Sequence, residues 1–442
     1  MQITLLDSSE GSRSWLHAVR TRAVRFGRQP PGQFTVLLTV LAMLCLAVSL
    51  AAVWDIRHRR AVLDRVISNG GPTTKAALEA YRSLSDADAT ATSTFLVNGV
   101  EPPEPRDRYR DRITKAGVAL SMAASGARTD ESATTIAELS AYLPVYTGLI
   151  ETARTYNRQG LPQGATYLRE ASWLMQDTML PKAQRLYEDE AARLAADQAE
   201  AAEPGWFPDA MGFLVLSGLV AAQVYLARST RRVLNAGLLA ATLLAVAAAA
   251  WYGMAVRAVT EHSTAGQEGT AQVEAFAAAR IAALQARSDE SLTLVARGNG
   301  KPYEDHFNIT ADKLEHDGSG LLARARIVVS GLETSTAVQQ ATDAWRQWRE
   351  IHKELRMVDD GGSYDEAVTL ATNAAHGTVT LSTMVDDRLG LATQQATVRF
   401  EDEAASARRS LSGTDVGVAV VMVFAGFGVA AGFAPRLREF RR

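Results

Sequence analysis

The sequence predicts an all-α membrane protein, with four transmembrane helices and two tandem extracytoplasmic four-helix bundles. Three observations carry this. Four runs reach the roughly 20 apolar residues a helix needs to cross a bilayer: Phe34–Trp54, Trp206–Leu226, Asn235–Val256 and Val416–Phe433. Elsewhere alanine is abundant, proline scarce and no β-rich stretch occurs. The chain also resembles itself: "DATATSTFLVNG" ends at Gly99 and "DESLTLVARGNG" at Gly300. Asp88 then faces Asp289, Asn98 faces Asn299 and Gly160 faces Gly361 at one shift of 201, with "ATYL" over "AVTL" at 202. A self-similarity that runs through the chain in one register reads as a duplicated span–domain–span unit.

Residues 1–33 form a basic tail with Arg13, Arg20, Arg22, Arg25 and Arg28. The first span, 34–54, is too long for a signal-peptide apolar region and has no small-residue cleavage site at its end. Residues 55–205 form the first bundle. Its first helix continues the span to about Val97 and is expected to be interrupted at "NGGP" (69–72). Its second helix covers about 104–125, its third about 130–157 and its fourth about 163–203. Pro181 falls inside the fourth and should kink it, because proline removes one backbone bond and crowds the preceding turn. The second span, 206–227, is followed by a basic loop at 228–234 with Arg228, Arg231 and Arg232. The third span, 235–257, leads to the second bundle, 258–413, with turns near Arg297, "NGKP" (299–302), Gly331 and "DDGGS" (359–363). The fourth span, 414–433, ends in a basic tail, 434–442.

Lys/Arg bias in short flanks sets orientation. The two tails and the loop share one side, expected to be cytoplasmic. The arginines of "DIRHRR" (Arg57, Arg59, Arg60) argue the other way, but the even span count and three agreeing flanks outweigh them. No Asp, Glu, Lys or Arg lies in the middle of a span, which disfavours an ion pathway. The small residues Gly218/Ala222 and Gly428/Gly432 suit close helix packing, first within the chain and second in a homodimer.

Apolar stripes at helical spacing fit bundle cores: Leu168, Ala171, Met175 and Met179 on one helix, and Trp345, Trp348, His352 and Leu355 on another. The Trp/His stripe has a second reading, a seat for an aromatic or amino-acid ligand. Ser363 and Glu366 have capping-box spacing, preferred here over a calcium loop for "DDGGSYDE". Glu304, His306 and His316 lie close enough in sequence for a metal site, though a solvated polar face explains them as simply. Cys45 is the single cysteine, which excludes an intrachain disulfide. A net charge of −3 gives no basic surface for nucleic acid. No P-loop, dinucleotide-binding glycine pattern, HExxH, nucleophile elbow or kinase signature occurs. No catalytic, cofactor-binding or metal-binding residue is therefore assigned, and no enzymatic activity is expected. Two large outer bundles with only short basic segments inside suggest a sensor or relay whose output lies in another polypeptide.

A span, an outer four-helix bundle and a second span resemble the ligand domains of bacterial chemoreceptors. Two such units in tandem, in an Arg/Ala-rich chain of this length, resemble the actinobacterial membrane protein of the amino-acid-sensing system upstream of protein kinase G. That resemblance implies an extracytoplasmic solute-binding lipoprotein and a cytoplasmic serine/threonine kinase as partners. It carries no residue signature that can be transferred. Function classes then rank as transmembrane relay, envelope scaffold, transporter and enzyme. For a relay, the partner would dock at the membrane-distal turns "NGVEPPEP" and "NGKPYEDH", through Glu101, Glu104, Lys301, Tyr303 and Glu304. The output would be Arg228, Arg231 and Arg232, and Pro181 would couple helix motion to it.

Overall fold

A computed structural model describes residues 30–96, 103–203, 205–230 and 235–439. Among them the chain is all α-helix, without a strand. In order these are α1 (Pro30–Arg65), a π-helical turn (Val66–Gly70), α2 (Gly71–Thr94), α3 (Pro103–Gly126), α4 (Asp130–Arg158), α5 (Gln163–Trp173), a second π-turn (Leu174–Met179), α6 (Leu180–Ala202) and α7 (Trp206–Thr230). Then come α8 (Ala236–Val295), α9 (Lys301–Leu314), α10 (Leu321–Val328), α11 (Leu332–Asp360), α12 (Tyr364–Thr372), α13 (Thr378–Ser410) and α14 (Thr414–Glu439). Four helices are long and apolar enough to span a membrane, carrying the four runs expected from sequence.

The first half keeps its expected helices, with one difference. Neither "NGGP" nor Pro181 breaks the chain; each follows a single wide turn. The Gly71 amide bonds to the Val66 carbonyl and the Leu180 amide to the Met175 carbonyl, both five residues back. The next residue is proline in each case, Pro72 and Pro181. A π-turn widens the backbone where the proline ring would otherwise meet a carbonyl, so the helix continues past it. At the start of α4, Thr129 accepts the Ser132 amide at 3.2 Å and caps the helix.

The second half departs further from the expectation. Its second helix is split between α9 and α10 by a tight turn at His316–Ser319, where the two residues exchange backbone bonds of 3.2 and 2.8 Å. Asp317 (φ 46°) and Gly318 (φ 77°) form its corner, the left-handed pair that an Asp-Gly dipeptide favours. Its fourth helix is split between α12 and α13, where the Asn373 side chain accepts the amides of Ala375 and His376. The expected capping box is absent: Ser363 precedes α12 but makes no side-chain cap bond.

The described residues form two compact units. The first, from the described parts of 1–61, 203–261 and 407–442, holds the spanning segments. Its outer surface is apolar, with Met43, Leu50, Phe213, Met254 and Phe427 exposed, as lipid contact requires. Its helices pack through glycines. A Cβ on Gly237 would lie 2.4 Å from the Gly432 nitrogen and 2.8 Å from the Gly428 carbonyl. The Gly428/Gly432 motif is thus used within the chain, against α8. A Cβ on Gly218 would lie 3.2 Å from Leu41 of α1. Asn235 ties the same contact: its amide donates to the Gly432 carbonyl and its oxygen accepts the Gly237 amide. The contrary arginines of "DIRHRR" are all paired. Arg59 donates to buried Asp55 at 2.8 Å, while Arg57 and Arg60 lie 3.8 and 3.2 Å from Asp415.

The second unit comprises residues 62–202 and 262–406. At its centre lie α2 and the 275–296 stretch of α8, each buried on nearly every side. A helix buried all round is ordinarily apolar, yet these carry many serines and threonines. Their hydroxyls are satisfied by the helices themselves, four residues back: Ser85 by Tyr81, Ser93 by Ala89, Thr94 by Thr90, Ser291 by Arg287 and Thr293 by Asp289. Small side chains with internally bonded hydroxyls allow close approach without orphaned polar groups. The two predicted stripes lie in the core around this pair, with Leu168, Ala171, Met175, Met179, Trp345, Trp348, His352 and Leu355 all buried.

Candidate functional site

The polar chemistry of the second unit is concentrated along its central helices, in three clusters. In the first, two fully buried carboxylates, Asp86 on α2 and Asp386 on α13, share one guanidinium. Arg108 of α3 donates to Asp86 through Nε and Nη2, both at 3.2 Å, and to Asp386 through Nη2 at 3.0 Å. Arg112 closes on Asp86 and Arg280 of α8 on Asp386, each at 2.5 Å. Burial pushes the Asp386 carboxyl up, but the Arg280 and Arg108 charges outweigh it and hold it below the usual carboxylate range. Removing one partner of such a buried pair costs more than the pair contributes, because the other charge is stranded.

Asp88 anchors the second cluster. Its carboxylate accepts Ser288 at 2.7 Å, Ser172 at 2.9 Å, Tyr146 at 3.3 Å and Gln176 at 3.4 Å. Burial without a cation pushes its pKa up to about 6, against the pull of these hydrogen bonds. Arg287, which precedes Ser288, is buried with one hydrogen bond among the described residues, Nη2 to Ser93 at 2.8 Å. Burial, followed by the charge of Arg108, pulls that guanidinium down to about 10.

The third cluster surrounds Glu290, which accepts Trp348 Nε1 at 2.9 Å, His352 Nδ1 at 2.7 Å and the Thr378 hydroxyl. His352 Nε2 meets Glu304 at 3.2 Å, and Arg356 stands 3.3 Å from the same carboxylate. Both ring nitrogens therefore face carboxylates, and only the doubly protonated ring can donate to both. Burial lowers the pKa of His352, but Glu290 and Glu304 carry it up to about 9. Phe307 stacks on the ring at 3.7 Å.

Tyr146 reaches back 58 residues to Asp88, and Trp348 reaches back 58 residues to Glu290. Glu290 lies one position beyond the residue that a shift of 201 would set opposite Asp88. Asp289, its expected counterpart, instead bonds His306 Nδ1 at 2.7 Å.

The sequence-predicted positions are not gathered into one surface. Glu104 is exposed in the first turn of α3. Lys301, Tyr303 and Glu304 share the first turn of α9, but only Lys301 is exposed, and it pairs with Asp305 at 2.7 Å. Tyr303 is half-buried against the core, and Glu304 is held by His352 and Arg356. Arg228 is exposed near the end of α7. Glu101, Arg231 and Arg232 lie outside the described residues. Glu304, His306 and His316 point to different partners, His316 to Asp312 and Asp317, and no group that could hold a metal occurs among the described residues. The three clusters escaped the sequence reading. Their signal was "SDADATATST" (85–94), a helical stretch without an apolar stripe, which only a central helix can afford.

The comparisons with known proteins bear on the first half of this unit. Residues 62–199 match the profile of a family described as an actinobacterial sensor domain. No curated protein and no solved structure matches the chain. The matched stretch begins within α1 and ends in α6, so it takes in α2 to α5 and all of the Asp88 cluster's first-half residues, and it supports a sensory role for this membrane protein.

Proposed function

We propose that the chain is a multi-pass relay of the plasma membrane with both termini cytoplasmic, and not an enzyme. It passes extracytoplasmic amino-acid availability, captured by a solute-binding lipoprotein, to a cytoplasmic serine/threonine kinase. One observation carries the sensory part: the sensor-domain match falls on the half-bundle whose helices α2 and α3 share polar contacts with the other half, through Ser288–Asp88 and Arg108–Asp386. A change in either half therefore alters the packing of both, as switching between discrete packed arrangements requires. The repeated Asp88/Tyr146 and Glu290/Trp348 pairs support an origin by duplication. The π-turn before Pro181 is a point where α5 and α6 can shift register, and the Arg228–Arg232 loop is the output.

The test is a deletion strain, in which phosphorylation of the kinase's substrate is followed on adding external amino acids. The response should vanish and return with the wild-type gene. Pro181→Ala should restore expression and helicity but change the amplitude. A response that persists in the deletion strain would leave the chain as an envelope scaffold.

A further inference from the structure

Alongside the Asp86/Asp386 cluster the second unit opens into a cavity of about 600 Å³. Its walls come from both halves, from α2 and α3 on one side and from α8 and α13 on the other. The volume falls within the about 300–1,000 Å³ typical of small-molecule sites. Arg280 is its most specific feature. Its side chain is 12% exposed, and Nε is fixed on the fully buried Asp386. Its two terminal nitrogens make no hydrogen bond to the described residues, unlike the Arg82 fork, which Glu79 occupies. Gly390 makes room for it: a Cβ there would lie 3.0 Å from Cζ and Nη2 and 3.1 Å from Nη1. A guanidinium held rigidly at one end, with two parallel donors free at the other, is the geometry that grips a carboxylate bidentately. Leu78, Ile281, Leu391 and Val398 offer an apolar wall for the rest of such a molecule, and Lys75, Arg82, Arg112 and Arg280 outnumber Glu79 and Asp387 in the lining, as an anion requires.

We propose that this cavity is a binding site for a small organic carboxylate, with Arg280 as its anchor and Gly390 as the residue that keeps the anchor accessible. The carboxylate lies on the Arg280 fork and the carbon chain on the apolar wall. The fork and the apolar wall together suit a monocarboxylate with a short carbon chain. Because α2, α3, α8 and α13 all line the cavity, occupancy draws the two halves together. The proposal goes beyond the relay reading and does not depend on it, since binding is measured on the purified chain and relay activity in cells.

The experiment titrates the full-length protein in lipid nanodiscs with three four-carbon probes at millimolar concentration, namely butyrate, γ-aminobutyrate and succinate, followed by calorimetry. Butyrate, which the Arg280 fork and the apolar wall suffice to hold, should bind. Arg280→Gln and Gly390→Ala should each weaken binding about tenfold or more, the first by removing the fork and the second by crowding it. Gly390→Ala leaves the Arg280–Asp386 charge pair in place, so it tests the site even where Arg280→Gln disturbs folding. Helicity is checked for both. No binding of any probe, or binding that survives Gly390→Ala undiminished, overturns the assignment.

Discussion

At the scale of single residues, His352 makes the sharpest commitment, because its position demands a proton. Buried and stacked on Phe307, it keeps both ring nitrogens on carboxylates, and its pKa rises to about 9 from an ordinary 6.5. A group whose folded pKa lies above its unfolded one stabilises fully below the unfolded value and loses that contribution as pH climbs through the folded value. His306, raised chiefly by its bond to Asp289, acts in the same direction from a half-exposed position. Stability should therefore fall between about pH 6.5 and pH 9, by up to about 3 kcal/mol from His352, as its shift converts. Thermal unfolding of the full chain across that range would show it. His352→Gln should lower stability at pH 6.5 and flatten the slope; a mutant slope as steep as wild type would assign the effect elsewhere. The Trp345/Trp348/His352 stripe was legible as a helix face. Its alternative use as a ligand seat is closed here by Glu290, which takes both Trp348 and His352. That partner could not be read from sequence, because it comes from another helix 58 and 62 residues away.

At the scale of elements, helix packing turns on individual glycines rather than on glycine content. Gly237, Gly428 and Gly432 bring α8 and α14 into backbone contact, whereas Gly253, also on α8, has nothing within 4 Å of its Cβ position. Gly253→Ala should be neutral or stabilising by up to about 1 kcal/mol, since alanine is the better helix former. Gly237→Ala should destabilise, because a Cβ 2.4 Å from the Gly432 nitrogen forces two backbones apart and backbone cannot rotate aside. Overpacking of this kind costs about 1–3 kcal/mol. Thermal unfolding in nanodiscs should rank the two variants in that order, and equal midpoints would mean that α8 and α14 do not approach this closely. Elements were the most legible level. Hydrophobic runs gave the spans, and turn chemistry gave the ends of α3 and α4 and the start of α5. Two errors share a physical origin. "HDGSG" and "NAAHG" are turn signals inside helices that the repeat register had made continuous, and local turn chemistry prevailed over the analogy with the first half. Conversely, at "NGGP", an expected interruption, and at Pro181, an expected kink, the helix runs on through a single π-turn.

At the scale of the whole molecule, charge placement decides which parts lie on which side of the membrane. The positive-inside bias counts arginines near span ends. Three flanks agree: the N-terminal tail, the loop at Arg228–Arg232 and the C-terminal tail. The segment after the first span disagrees, and its arginines differ in kind. Arg59 is buried on Asp55, which also accepts Tyr252 at 2.9 Å, and Arg57 and Arg60 meet Asp415 at the start of α14. They have structural partners within the chain, so retention on the cytoplasmic side is not needed to account for their presence. Reporter fusions at residue 20, within 228–232 and at 440 should therefore all read as cytoplasmic, with fusions at 130 and 330 reading as external. The loop is the decisive position, because it is the one flank enclosed by spans on both sides. An external reading there would invert the molecule, turn both halves of the second unit toward the cytoplasm, and leave the cavity at Arg280 exposed to cytoplasmic metabolites instead of external ones.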